Sequence, residues 1–231
     1  MLENTTYITF DIETIPVVEF ELTPVQREEL DRRLDKELAY QAIANPTANV
    51  DKQALRNKLA ATSPYWGQII CICLHAVKPN GQVGVIQLIG PEQEILTRFW
   101  NNVDETKWGK HVFVSYNGLG FDVPFILRRS AFHGILPKNN SFLNLKRFSF
   151  DPHFDVVTYL SDWSPQKMIS LKLACDYFGV PSPKEGEVKA EGVYDAFCNG
   201  EIQKIADYCS RDVEATYNLL LKIKPYVHKG R

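Results

Sequence analysis

Thr6-Tyr7-Ile8-Thr9-Phe10-Asp11-Ile12-Glu13-Thr14 decides how the rest of this sequence is read. The segment alternates and is rich in β-branched and aromatic residues, the pattern of a half-buried strand. On a strand, positions i and i+2 share a face, so Asp11 and Glu13 project together while Phe10 and Ile12 turn to the opposite layer. Two carboxylates side by side on a buried strand repel each other and lose hydration, and a divalent cation relieves both costs. A strand end with two solvated acids satisfies the same tripeptide, so Asp11 and Glu13 acquire meaning only with what lies further along the chain.

Beyond this strand the pattern changes to helix. Thr23 to Tyr40 places Leu30, Leu34 and Leu38 four apart among charges, with Thr23 as cap and Pro24 at the first helical position. A second helix is expected around 50–61 with Ala54, Leu55 and Leu59 inward, so the stretch 17–66 reads as a helical excursion between strands. Strand patterns return at 68–77 and 82–89, joined through Pro79-Asn80-Gly81 as a hairpin and therefore antiparallel. A helix at 92–103, a strand at 111–116, a helix at 122–133, a short strand running into a helix at 153–160, and helices at 170–178 and 201–223 complete the chain. Strands with one hairpin, followed by strands alternating with helices, predict a three-layer α/β fold around a mixed sheet.

The chain of 231 residues is 45% hydrophobic and 23% charged, ordinary globular values that exclude disorder and a bare coiled coil. Its 26 basic and 28 acidic residues give a net charge of −2, which argues against a histone-like binder but leaves room for a local basic cleft. Five cysteines without tight pairing read as reduced thiols, and no leader or membrane span is visible, so a cytoplasmic location is expected. Cys71 and Cys73 alternate with Ile70 and Ile72 and share a strand face. With no second Cys or His pair at metal-ligand spacing, they read as core thiols and not as a zinc site. The sequence contains no G-x-S-x-G and no Walker-type loop, which argues against serine hydrolases and P-loop enzymes.

Two further pieces carry chemistry. Ser115-Tyr116-Asn117-Gly118-Leu119-Gly120-Phe121-Asp122 runs from a strand end through a loop to a helix start, where an acid also favours the helix dipole. It presents Asp122 at the carboxyl edge of the sheet, with Asn117 orienting the loop or touching a ligand. Tyr208-Cys209-Ser210-Arg211-Asp212 places Tyr208 and Asp212 on one helix face.

Taken in order, the three pieces resemble the motifs of the DEDD 3′–5′ exonucleases of the DnaQ-like superfamily, in the branch with a tyrosine (DEDDy). Within that superfamily they are similar to the proofreading exonuclease domain of B-family DNA polymerases. The resemblance implies an RNase H-like fold and one exonuclease domain over 1–231, with the helical insertion at about 17–66 after the first strand. It implies two Mg²⁺ or Mn²⁺ ions held by Asp11, Glu13, Asp122 and Asp212, with Tyr208 positioning the attacking water. Thr14, Asn117 and Phe121 become substrate-binding candidates, while the role of Asp155 stays open. The implied activity is hydrolysis of terminal phosphodiesters of single-stranded DNA to 5′-nucleotides, with any polymerase or repair partner acting in trans and no membrane involved. Two alternatives remain: an exoribonuclease with the same chemistry, or a vestigial nucleic-acid-binding or polymerase-accessory module. Against the second, all four acids and the tyrosine are intact.

One charge pattern needs no family. Arg128, Arg129, Lys138, Lys146 and Arg147 fall in an acid-free stretch between Asp122 and Asp151, interleaved with Phe125, Phe132, Phe142, Phe148 and Phe150. Cations that follow a backbone and rings that stack on bases suit a single strand, and the loop at 138–150 is the candidate contact element. Phe125 and Phe132 are instead expected in the core. Lys222, Lys224, Lys229 and Arg231 read as a solvated end.

Overall fold

Alternation along the first strand needs a layer on each side of it, and the computed structural model supplies both. It describes residues 4–47, 49–182 and 192–227; His228, Lys229 and Arg231 lie outside the described residues. Strands β1 (Thr6–Pro16), β2 (Gly67–Val77), β3 (Val83–Ile89), β4 (His111–Ser115) and β5 (His153–Asp155) form a sheet in the order β3-β2-β1-β4-β5. β2 and β3 pair antiparallel from Cys71 opposite Ile89 to Val77 opposite Val83, the expected hairpin, with Gly81 at φ 82° in its turn. β4 runs parallel to both β1 and β5, so the sheet is mixed. Among the described residues no helix is long and apolar enough to cross a membrane.

The chain divides into two compact units, Met1–Glu13 with Ile70–Arg231, and Thr14–Ile69. In the first, one face of the sheet carries an aromatic cluster. Phe142, on the short helix α5 (Asn140–Leu143), has its ring 5.5 Å from Phe10, 5.4 Å from Phe99, 5.2 Å from Trp100 and 4.9 Å from Phe113. Phe99 and Trp100 come from α3 (Glu92–Asn102), and the indole N–H of Trp100 donates to Ser130 Oγ on α4 (Asp122–Phe132) at 2.9 Å. Glu92 also ties α3 to α4, accepting from Arg129 Nε at 2.9 Å and lying 2.7 Å from His133 Nε2. On the opposite face Tyr7, Val112, Val114 and Phe154 pack with Ala215, Leu219 and Ile223 of α9 (Ile202–Ile223). Helices α6 (Val156–Leu160), α7 (Leu171–Phe178) and α8 (Val193–Cys198) complete this unit.

These contacts change the reading of the basic–aromatic stretch. Phe142 is core and Arg129 is paired with Glu92, so neither is available to a single strand. Phe148, by contrast, is 76% exposed and rests 5.2 Å from Trp163. Phe125 is buried as expected; Phe132 is exposed at the last turn of α4, with the Arg129 guanidinium 4.5 Å over its ring.

In the second unit α1 (Pro24–Ala44) starts with the expected Thr23 cap, whose hydroxyl accepts from Gln26 N while the Gln26 side chain accepts from Thr23 N. Leu30 and Leu34 are buried and Leu38 is half-buried. On α2 (Lys52–Ala61), Asp51 caps the start, and Ala60 lies in the core with Leu30, Leu22 and Trp66. Ala54, expected inward, is exposed: the helix turns its later residues toward α1 and leaves its first turn in solvent.

Phe142→Ala should therefore cost about 3–5 kcal/mol of stability, the usual loss for a buried phenylalanine. Phe148→Ala should stay within about 0.5 kcal/mol. Urea unfolding checks both, and an unchanged Phe142→Ala midpoint would remove this cluster from the core.

Candidate active site

Strand β1 ends its buried run with the pair it was expected to present. Asp11 and Glu13 are half-buried on the face toward α9, and their carboxylate oxygens lie within 4.8 Å of each other and of Cys209 Sγ. Ile12, between them, faces the other layer and is buried. Its backbone N–H donates to Asp122 Oδ1 at 3.0 Å, so the strand itself orients the third acid.

The loop from β4 to α4 is built to deliver Asp122. Asn117 takes a left-handed conformation at φ 65°, and its carbonyl accepts from Gly120 N at 3.1 Å and Phe121 N at 3.0 Å. Gly118 is required by close approach: a Cβ there would lie 2.3 Å from Ser115 Oγ. Asp155, at the end of β5 and only 1% exposed, accepts from Asn117 N at 2.9 Å and Leu119 N at 3.0 Å. It also caps α6 through Thr158 N. Asp155 thus fixes the loop from outside the acid cluster, a role that its place in the sequence did not disclose. Asp122 is the first residue of α4 and is 2% exposed.

Helix α9 brings the last pair. Tyr208 is buried, with Asp212 one turn on along the same helix face. Burial, then Asp212 and Glu13, push the Tyr208 phenol well above its ordinary range, so it stays protonated. Burial raises Asp11 well above the usual carboxylate range, and Asp122, Glu13 and Asp212 raise it further. Glu13 is raised in the same way, by burial and then by Asp212 and Asp122. Asp122 is pushed up to about 7 by burial, against the hydrogen bonds from Ile12 N and the Asp11 side chain that hold it down.

The structure therefore brings together Asp11, Glu13, Asp122, Tyr208 and Asp212 from β1, α4 and α9. The donor set is hard oxygen on partly buried groups that raise one another's proton affinity, and it fits a divalent cation such as Mg²⁺ or Mn²⁺. The substrate-binding candidates are less exposed to a ligand. Asn117 is held in the loop by its backbone, and Phe121 is half-buried with its ring 5.5 Å from Phe125. Thr14 donates its hydroxyl to Ala61 O at 2.8 Å within the second unit. Nothing in the local sequence marks Cys209, between Tyr208 and Asp212, as a neighbour of the acids; its thiol lies 3.6 Å from Asp11 Oδ2.

Residues 63–230 match a family model described as a predicted 3′–5′ exonuclease related to the exonuclease domain of PolB. The chain is similar to the DNA polymerase epsilon catalytic subunits A and B of Arabidopsis thaliana, 32% identical to each over 151 residues. Those matches take in 59% of this chain and 6% of each relative, so the chain spans a small part of their length. A family B DNA polymerase from the hyperthermophilic archaeon Pyrobaculum calidifontis matches 96% of this chain with a TM-score of 0.57 and 18% identity, over 25% of its own length, a likeness of fold. The five-stranded mixed sheet with helices on both faces is thus RNase H-like. With the family model spanning most of its length, the chain belongs to the 3′–5′ exonuclease family related to the exonuclease domain of PolB.

Proposed function

We propose that this chain is a DEDDy-type, metal-dependent 3′–5′ exonuclease that removes terminal nucleotides from single-stranded DNA and releases 5′-nucleotides. The observation that carries the reading is the convergence of Asp11, Glu13, Asp122 and Asp212 beside the hydroxyl of Tyr208. DNA as substrate is supported by the similar proteins, which are named DNA polymerases. The same likeness supports action in a polymerase context.

Asp11, Glu13, Asp122 and Asp212 would hold two Mg²⁺ or Mn²⁺ ions, which when bound supply charge stabilisation to the phosphoryl group and its leaving oxygen and make water more acidic. The protein's own part is placement. Tyr208, neutral and held by its burial on α9, offers its hydroxyl to orient the water that attacks the terminal phosphorus, while the bond to the preceding 3′ oxygen breaks. Burial and the neighbouring acids raise its phenol, which favours an orienting role over proton abstraction. Asp155 holds the loop that aims Asp122.

Asp11→Ala and Asp212→Ala should each abolish hydrolysis while leaving a folded protein. Tyr208→Phe should lower the single-turnover rate by about 10²–10⁴ without weakening Mn²⁺ binding. Matched 5′-labelled DNA and RNA strands, with and without chelator, test substrate and metal together. Linear DNA should shorten progressively and closed circles should survive; cuts in the circle, or full activity in chelator, would overturn the reading.

The acid cluster also sets a pH dependence. Asp11, Glu13 and Asp122 bind protons more tightly in the folded chain than in the unfolded one. Their contribution to stability is therefore full below about pH 4. It is lost as pH rises through the raised values, about 7 for Asp122. In chelator the urea midpoint should fall across that window, Asp11→Asn should flatten the fall, and Mn²⁺ should remove it. A chelated midpoint with no such fall would mean that the acids are not crowded in solution.

A further inference from the structure

Cys71 and Cys73 stand on one face of β2 with their Sγ atoms 3.7 Å apart. Helix α9 sets Cys209 against them, so that all three sulfurs lie within 4.8 Å of one another, and all three are buried. Cys209 Sγ is in turn 3.6 Å from Asp11 Oδ2. The group therefore continues the carboxylate cluster as a second set of donors, of opposite chemical character.

Its dimensions can be compared with those of a metal site. A zinc-like ion sits about 2.3 Å from a thiolate sulfur, in tetrahedral geometry. Those bonds place two sulfurs about 3.8 Å apart. The Cys71–Cys73 separation matches the sulfur edge, and Cys209 Sγ lies within 4.8 Å of both. Ser210 Oγ donates toward Cys73 Sγ at 3.4 Å, the kind of outer hydrogen bond that orients a ligating sulfur. A cleft of about 270 Å³ lined by Cys73, His75, Val83, Ser210 and Glu214 lies beside one of the three cysteines.

We infer that Cys71, Cys73 and Cys209 form a three-sulfur site for one thiophilic d¹⁰ divalent ion such as Zn²⁺ or Cd²⁺. Binding sends the three thiol protons to solvent, and three sulfur donors favour these ions over Mg²⁺. An ion held there removes the thiol proton that Cys209 donates to Asp11 Oδ2, which disturbs the carboxylate set, so it inhibits hydrolysis. That consequence rests on the proposed exonuclease activity; the binding does not.

The test uses the full chain with Cys198→Ser, which removes an exposed thiol. Titrating the metal-free protein with Cd²⁺ should raise a thiolate-to-cadmium absorption band that saturates at one ion per chain. Cys71→Ala and Cys209→Ala, checked for folding by circular dichroism, should each weaken binding by at least roughly 100-fold, more than losing an outer partner costs. Cys71→Ala should keep Mn²⁺-supported hydrolysis and lose its sensitivity to substoichiometric Zn²⁺. Absence of the band, or a band that persists in both folded variants, overturns the site. A saturating band in a protein that cleaves no strand upholds the site and overturns the exonuclease reading instead.

Discussion

Like charges brought together out of water are the constraint on which this molecule turns. Two unit charges about 4 Å apart oppose each other by about 4 kcal/mol at an effective dielectric of about 20. Asp11, Glu13, Asp122 and Asp212 come from three elements into one partly buried group, and each of the first three is raised by its burial and its neighbours. Left to themselves these groups would splay toward solvent. They stay together because each is carried on an element whose position is set elsewhere.

The anchoring is mostly by backbone and core. Ile12 N–H holds Asp122, so the strand that bears two acids also orients the third. Asp155 gathers Asn117 N–H, Leu119 N–H and Thr158 N–H, which fixes the loop before α4 and the start of α6 with one buried carboxylate. Behind β1, Phe10 is locked by Phe113 and Phe142, and on the other face the apolar side of α9 packs against Tyr7, Val112 and Val114. The aromatic core therefore serves the site indirectly, by leaving the acids no direction in which to relax. A hard-oxygen cluster and a soft-sulfur cluster meet at Cys209, because the helix face that delivers Tyr208 and Asp212 also delivers its thiol to β2.

Much of this was legible along the chain. Alternation in Thr6–Ile12, the Pro79-Asn80-Gly81 turn and the Thr23-Pro24 cap gave the strand, the hairpin and the helix start, since each depends on neighbours a few residues away. Asp11 with Glu13, and Tyr208 with Asp212, were paired for the same reason: the period of a strand or a helix places them on one face. Where the reading failed, packing outvoted pattern. Phe142 and Arg129 looked like part of a basic, aromatic strand-binding stretch, yet one fills the core and the other pairs with Glu92. Ala54 fitted a helical stripe and lies in solvent.

The sequence by itself determined the mixed α/β class, the order of the elements and the identity of the five residues that converge, because periodicity and motif order are properties of the chain. Only the tertiary structure decided that Asp155 holds the Asn117 loop, that Thr14 spends its hydroxyl on Ala61, and that Cys209 closes on Cys71 and Cys73. Spacing reports which residues share a face of one element. Distances between elements depend on how buried side chains fill the space between them, and no local pattern in this chain encodes that.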